Sequence, residues 1–218
     1  MNPAPEVVAA RWWGDEVDYQ EALLQQRELR SSIIAGEGRE LIAGLTHKPT
    51  ITTGRRSIGE APSADSLREQ GIVFIQSERG GLATYHGPGQ LMIYLFIDIG
   101  GRGLGVRDFV CRLEGGIIDY FAHRGVTAAR RKGAPGVWVD GEKIAAVGLN
   151  FSRGVSMHGA ALYINRDNRG FDLITPCGIE GARATSLEEQ LSSSFSPRGE
   201  FGVATEFISR SLFAPTRP

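Results

Sequence analysis

The chain has 218 residues, of which 29 are glycine, 10 proline and two cysteine, with 24 basic and 25 acidic side chains for a formal net charge of −1. Two cysteines make no disulfide scaffold and a structural zinc takes about four ligands, while the balanced charge leaves no footprint for duplex nucleic acid or an anionic membrane. Glycine at about 13%, against roughly 7% in ordinary proteins, falls into no collagen-like period and needs a local explanation.

A hydrophobic fraction of 41% at this length supports one domain spanning residues 1–218. The N-terminus lacks the charged-then-apolar pattern of a signal peptide. The longest apolar run, Leu91 to Ile97, is far short of the about 20 residues that cross a bilayer. These features lead us to expect a soluble, cytoplasmic protein of a reducing compartment.

In chain order, Asp15 or Asp18 caps a first helix through Tyr19, Ala22, Leu23 and Leu29 to about Ile34, ended by Gly36. Glu40 to Leu45 reads as a strand, and His47-Lys-Pro forces an extended or turning connection. Ser63 and Asp65 start a short helix that Gly71 stops. Ile72 to Gln76, Thr84 to His86 and Leu91 to Asp98 are strands. Val106, Phe109, Val110, Leu113, Ile117, Ile118 and Phe121 share one helix face, closed by Gly125. On that helix Cys111 reads as a small buried hydrophobe. Asp140-Gly141 between two apolar runs is a hairpin turn. Val155 to Asn165 is a long strand, and Thr185 to Glu189 and Glu200 to Phe213 are helices. Strands and helices intermingle without strict alternation, so the expectation is an α/β chain of the α+β type, a mixed β-sheet flanked by helices.

Three clusters gather much of the glycine beside polar residues. The first is Arg79-Gly80-Gly81-Leu82-Ala83-Thr84-Tyr85-His86-Gly87-Pro88-Gly89-Gln90. Paired glycines let backbone approach a ligand and aim N–H groups at an oxyanion, although a hairpin needing positive φ produces the same letters. It is neither a Walker loop, lacking Gly-Lys-Ser/Thr, nor a Rossmann fingerprint. The second cluster runs from Gly133 to Gly148 and contains Lys143 on a strand. That lysine is either a solvated charge or a partly desolvated ammonium that stabilises a thiolate. The third is His158-Gly159-Ala160-Ala161 followed by Thr175-Pro176-Cys177-Gly178, where a cysteine between proline and glycine is open to reaction. His86 and His158 are candidate bases or donors, or hydrogen-bonded structural histidines. His47 and His123 carry no further signal, and no metal-ligand spacing occurs.

As an ordered set, these segments resemble the lipoyl(octanoyl) transferases, the octanoyl-acyl-carrier-protein:protein N-octanoyltransferases. The resemblance covers nearly the whole chain. It includes Asp18-Tyr-Gln-Glu-Ala, His47-Lys-Pro with Thr53-Gly-Arg-Arg56, the twelve residues from Arg79 to Gln90, Gly141-Glu-Lys-Ile-Ala145, His158-Gly159 and Pro176-Cys-Gly178. It implies the fold of biotin and lipoate protein ligase catalytic domains. It also implies transfer of an octanoyl group from octanoyl-acyl carrier protein to a lysine on lipoyl domains of 2-oxoacid dehydrogenase subunits or the glycine-cleavage H protein. Cys177 matches the acyl-thioester nucleophile and Lys143 the residue that lowers its pKa and moves protons. Arg79, Gly80, Gly81, Leu82, Ala83, Thr84, Tyr85 and His86, then Ala146, Val147 and Gly148, then Gly159, Ala160 and Ala161, match the substrate-binding segments. Leu82-Ala83, Tyr163 and Lys48 depart from the usual pattern without removing a catalytic group.

The resemblance implies no metal or cofactor and a monomer, with thioester-to-amide transfer running downhill without ATP. Ala145 to Val147 and Ala160 to Leu162 would floor the acyl site, and Arg55, Arg56, Arg130, Arg131 and Lys132 are candidates for a face toward the acidic carrier. Two alternatives stay open: an ATP-dependent lipoate or biotin protein ligase on the same fold, and a non-catalytic acyl- or lipoyl-domain-binding module.

Overall fold

The computed structural model describes residues 8–55, 62–165, 170–174 and 183–214. Its centre is a seven-stranded sheet in the order β1 (Ala9–Val17), β2 (Leu41–His47), β6 (Gln90–Phe96), β10 (Val155–Tyr163), β9 (Glu142–Ser152), β8 (Ala134–Val139), β7 (Ala129–Arg131). A three-stranded sheet runs β4 (Val73–Gln76), β3 (Thr50–Thr53), β5 (Thr84–His86). β1 lies parallel to β2 and β3 to β4; the remaining pairings between these strands are antiparallel. The sheets are therefore mixed and flanked by helices, as the interspersed pattern predicts.

Strands β2, β6 and β10 are buried at every position, which explains why Leu-Met-Ile-Tyr-Leu-Phe shows no alternation: both faces of the sheet are covered. On one face lie α3 (Val106–His123) and α5 (Pro197–Leu212), closing a core around Ile93, Leu95, Phe109, Leu113, Ile117 and Ile208. On the other lie α1 (Tyr19–Ala35) and the small sheet, with Tyr19, Leu23, Ile51, Tyr85, Tyr94 and Phe96 between them. Short helices α2 (Ala64–Glu69) and α4 (Leu187–Leu191) and a 3-10 turn at Phe171–Leu173 complete the described elements.

Local signals explain most boundaries. Of the two candidate caps, Asp18 is the one used, accepting from the N–H groups of Gln20 and Glu21, and Gly36 ends α1 at φ 77°. Asp140 and Gly141 both have positive φ, 48° and 87°, which is the backbone of a two-residue hairpin turn. Arg153-Gly154 repeats that device at 47° and 81° and joins β9 to β10.

Three strands escape the sequence signals. β1 is an exposed edge with register shifts around Gly14, so its pattern never alternates and Asp15 falls inside it. β3, Thr-Ile-Thr-Thr, is only four residues long, and β7 is an exposed run of three. On α3 two expectations fail. Val106, at the helix start, is 49% exposed, and Cys111 is exposed. Cys111 follows the buried Phe109 by two residues, about 200° round the helix, and so turns away from the sheet.

Candidate active site

β9 is longer than its neighbour β8. Their pairing covers Glu142 to Ala145, and at Leu149 the glycine-rich loop takes over, the Gly80 N–H donating to the Leu149 carbonyl at 3.0 Å. Ala146, Val147 and Gly148 lie between these two attachments and line a cavity of about 1270 Å³. That exceeds the roughly 300–1,000 Å³ of a typical small-ligand pocket.

The three glycine clusters, far apart in sequence, meet at this cavity. From the first come Arg79, Gly80, Gly81, Leu82, Ala83, Thr84 and His86; from the second Lys143, Ala146, Val147 and Gly148; from the third His158, Gly159, Ala160 and Ala161. Tyr85 does not join them. Its fully buried ring turns the other way in β5 and packs edge-on against Phe171, centroids 5.6 Å apart. Ala145 and Leu162 are likewise fully buried in the core beneath α3 and do not line the cavity; alternation along paired strands directs them away from Ala146 and Ala161. Cys177 lies outside the described residues.

Main chain is held close throughout. The buried Arg79 guanidinium donates through Nε to Thr52 Oγ1 at 3.0 Å, through Nη2 to the Thr52 carbonyl at 2.7 Å and through Nη1 to the Gly80 carbonyl at 3.0 Å. The arginine thus clamps the loop to β3. Gly159 sits opposite Gly148 in the sheet, and a Cβ on Gly159 would stand 2.0 Å from the Ile93 carbonyl oxygen, so no other residue fits that crossing.

Lys143 is 5% exposed. Its Nζ donates to the Pro135 carbonyl at 3.0 Å and lies 4.7 Å from the Trp138 ring centroid. Its backbone pairs in parallel with Ala184: Lys143 N–H donates to the Arg183 carbonyl and Thr185 N–H to the Lys143 carbonyl, both at 2.9 Å. Residues shortly after Cys177 in sequence therefore run beside the lysine. Opposite, Glu114 on α3 accepts from the Gly136 N–H at 3.0 Å and from Arg130 Nε at 3.1 Å. Among the described residues, the charged groups of the lining are Arg79, Arg107, Arg130, Arg131, Lys132, Lys143 and Glu114, a strong cationic excess in a chain of net charge −1.

Of the aromatic group at and behind the inner wall, the sequence singles out His86 and His158 and leaves Tyr19, His47 and Tyr94 unassigned. Tyr19, His47, His86, Tyr94 and His158 form a chain of ring contacts with centroids 5.0–6.3 Å apart. His47 Nδ1 faces the Val17 carbonyl at 2.9 Å and its Nε2 the Tyr94 hydroxyl at 2.6 Å. A carbonyl only accepts, so Nδ1 carries the proton and the tyrosine donates to Nε2. Burial holds all three imidazoles neutral: His47 is lowered to about 4, His158 to about 3, and His86 well below the usual value. Each is desolvated first of all, and neighbouring His47 and Arg79 add repulsion at His86. The same desolvation raises the Tyr94 phenol. These groups donate and accept hydrogen bonds at neutral pH and do not act as strong bases. Tyr19, Tyr94 and Met92 line the cavity, yet in sequence they read only as apolar periodicity.

The sequence matches the lipoyl protein ligase A/B catalytic domain over residues 18–199. It is 46% identical over 165 residues to the octanoyltransferase of Aromatoleum aromaticum, covering 76% of this chain and 65% of that protein. It is 39% identical over 174 residues to the octanoyltransferase of Desulfovibrio desulfuricans, covering 79% and 73%. Among solved structures, lipoate-protein ligase A bound with ATP superposes with a TM-score of 0.76 at 13% identity, over 94% of this chain and 85% of that one. The biotin protein ligase of Aquifex aeolicus gives 0.54 at 12% identity, over 94% and 68%. At such identities the structural likeness concerns the fold alone. Among the described residues no helix is long and apolar enough to cross a membrane.

Proposed function

The chain belongs to the lipoyl protein ligase A/B catalytic-domain family, and on that footing we propose that it transfers an octanoyl group from octanoyl-acyl carrier protein to a specific lysine of lipoyl domains. The acceptors are those of 2-oxoacid dehydrogenase subunits and the glycine-cleavage H protein, and the setting is the cytoplasm. The observation that carries this reading is the convergence of three glycine-rich segments and a buried lysine on one cavity, with the chain that follows Cys177 paired to that lysine. The octanoyltransferase names of the relatives agree with it.

In this mechanism the Cys177 thiolate attacks the carrier thioester. A new C–S bond forms, the carrier C–S bond breaks, and the carrier leaves as a thiol with the proton of the Lys143 ammonium, which leaves that amine neutral for the second step. The acceptor lysine amine then attacks the octanoyl-cysteine; the C–N bond forms, the Cys177 sulfur leaves as thiolate and the amine proton passes to Lys143. A cation beside the sulfur favours the thiolate in the first step. Backbone N–H groups of the glycine-rich segments hold the developing oxyanion, each donor worth about 3 kcal/mol. The apolar surface of Ala146, Ala161 and Met92 takes the chain, and the cationic mouth at Arg130, Arg131 and Lys132 suits an acidic donor.

The test is incubation with octanoyl-acyl carrier protein and an apo lipoyl domain without ATP, followed by intact-mass measurement. An octanoyl adduct that disappears in Cys177→Ala, with an octanoylated acceptor, is expected. Lys143→Met slows adduct formation and moves its pH optimum upward. Transfer that occurs only with free acid and ATP would instead assign a ligase, and absence of both adduct and product leaves a binding module.

A further inference from the structure

One peptide unit joins two charged side chains of the cavity. β7 pairs Arg130 with Val137 and Arg131 with Ala134, while the pairing of β8 with β9 reaches only Val137 opposite Ala145. Pro135 and Gly136 therefore bulge out of both ladders, and the polar groups of the peptide between them find other partners. The Pro135 carbonyl accepts from Lys143 Nζ at 3.0 Å. The Gly136 N–H, in the same peptide unit, donates to Glu114 Oε1 at 3.0 Å. In a planar trans peptide these two groups point in opposite directions. The unit is thus a bridge, with a carboxylate on one side and an ammonium on the other.

Local sequence does not fix that orientation. Turning the peptide over changes mainly ψ of Pro135 and φ of Gly136, and glycine, here at φ 115°, accepts either sign of φ. Turned over, the unit would aim its N–H at the ammonium. The Trp138 indole N–H donates to the Ala134 carbonyl at 3.0 Å, which holds the preceding peptide unit and leaves this one to Glu114.

The carboxylate comes from α3, which buries it on one face with Leu113 and Ile117; the residue is 8% exposed. A carboxylate taken out of water is unfavourable unless its oxygens are paired. Here one oxygen takes the Gly136 N–H and the other Arg130 Nε at 3.1 Å. Hydrogen bonds to an ionised partner are roughly twice as strong as neutral ones, and bonds in series polarise one another. The peptide dipole lies with its positive end at the carboxylate and its negative end at the ammonium, so each contact strengthens the other.

We propose that Glu114 is a positioning residue for Lys143: through the Pro135–Gly136 peptide it aims the carbonyl that keeps the lysine Nζ beside Trp138 in the cavity. The effect on acyl transfer rests on the octanoyl-transfer reading; the placement of the lysine is tested without it.

Lys143 Nζ lies 4.7 Å from the Trp138 ring centroid, so the ring current moves its ε protons upfield of those of Lys48 and Lys132, the other two lysines, both exposed. NMR of the full chain carrying 13C-labelled lysine reads this, and Lys143→Met identifies the signal. Glu114→Gln keeps an accepting oxygen within reach of the Gly136 N–H, and Glu114→Ala removes it. Both lose the Arg130 contact, so their difference reports the peptide alone. Glu114→Asp keeps the charge but is one methylene, about 1.5 Å, too short.

In Glu114→Ala and Glu114→Asp the Lys143 signal moves toward the other two lysines. The transfer rate from saturating octanoyl-carrier donor falls at least about ten-fold. Glu114→Gln keeps the upfield signal and a rate within about three-fold of wild type. Adding Glu114→Ala to Lys143→Met lowers the rate no further, since the residue acts through the lysine. Circular dichroism checks each fold, and Glu114→Asp decides where Glu114→Ala does not fold. An unmoved Lys143 signal in a folded Ala or Asp variant, a Gln variant as impaired as Ala, or a further ten-fold loss in the double variant overturns the proposal. Signals that move as stated in a chain without any transfer would overturn octanoyl transfer and leave the positioning of Lys143 standing.

Discussion

Two adjacent glycines on α3 carry opposite predictions. Gly→Ala inside a helix gains about 1 kcal/mol of intrinsic propensity, and this gain is common to Gly115 and Gly116. The surroundings differ. A Cβ at Gly116 would stand 2.6 Å from Ile208 Cα and 2.9 Å from the Phe207 carbonyl oxygen of α5. Ordinary contact begins near 3.4 Å, and backbone cannot rotate aside as a side chain can. The two helices must part, loosening Leu113, Ile117 and Phe121 against Ala204, Ile208 and Leu212. Overpacking of this kind costs about 1–3 kcal/mol, and with backbone as the obstacle the upper part of that range applies. Gly116→Ala is then less stable by about 1–2 kcal/mol net, a fall in Tm of about 2–8 °C for a chain of this size. At Gly115 the nearest atoms are Arg130 Nη2 and Ser211 Oγ, both at 3.2 Å. These are ends of rotatable side chains, so the propensity gain survives and Tm rises by about 2 °C. Thermal unfolding followed by circular dichroism at one protein concentration measures both. A Gly116→Ala variant as stable as wild type, or a Gly115→Ala variant destabilised like Gly116→Ala, would refute the reasoning.

The buried imidazoles predict acid sensitivity. Their folded pKa values are depressed, to about 4 at His47 and about 3 at His158, with His86 well below 6.5. Between about pH 6.5 and 4 the unfolded chain therefore binds more protons than the folded one, so stability is complete above that window and falls as pH drops through it. At about 1.4 kcal/mol per pH unit per group, the three together remove roughly 3–4 kcal/mol between pH 6 and 5. The urea midpoint at pH 5 should lie well below that at pH 7, and equal midpoints would contradict neutral burial. Gly136 has φ 115° and an added Cβ would stand 2.5 Å from the Ala145 carbonyl oxygen and 3.4 Å from Lys143 Cε. Gly136→Ala should lower the transfer rate at least about ten-fold by displacing the lysine, measured with octanoyl-carrier donor; a rate equal to wild type would show that the β8 turn does not position Lys143.

How far the sequence reached follows from the kind of signal each feature carries. α3 was readable because Phe109, Leu113, Ile117 and Phe121 recur at helical spacing and all meet one sheet face. The Asp140-Gly141 turn was readable because both residues tolerate positive φ. β1 was not, since an exposed parallel edge with bulges at Gly14 imposes no alternation. In the site, Gly80, Gly148 and Gly159 stand out because main chain packed against main chain allows almost nothing but glycine. Tyr85 shares their segment by adjacency alone, and strand alternation turns it into the core. Tyr94 and His47 read as apolar filler and an unremarked histidine, since only β2, β6 and α1 together bring their rings into contact.

The sequence by itself determined most of the element types, the mixed character of the sheet and the glycine-rich segments, because turns, caps and close backbone approach are local requirements written in a few residues. Only the tertiary structure decided that these segments share one cavity, that Lys143 is buried beside Arg183 to Thr185, and that the histidines His86 and His158 in its lining are held neutral by burial. Those properties depend on which strands are neighbours and on how completely water is excluded, and both are set by contacts between residues as far apart as 30 to 130 positions.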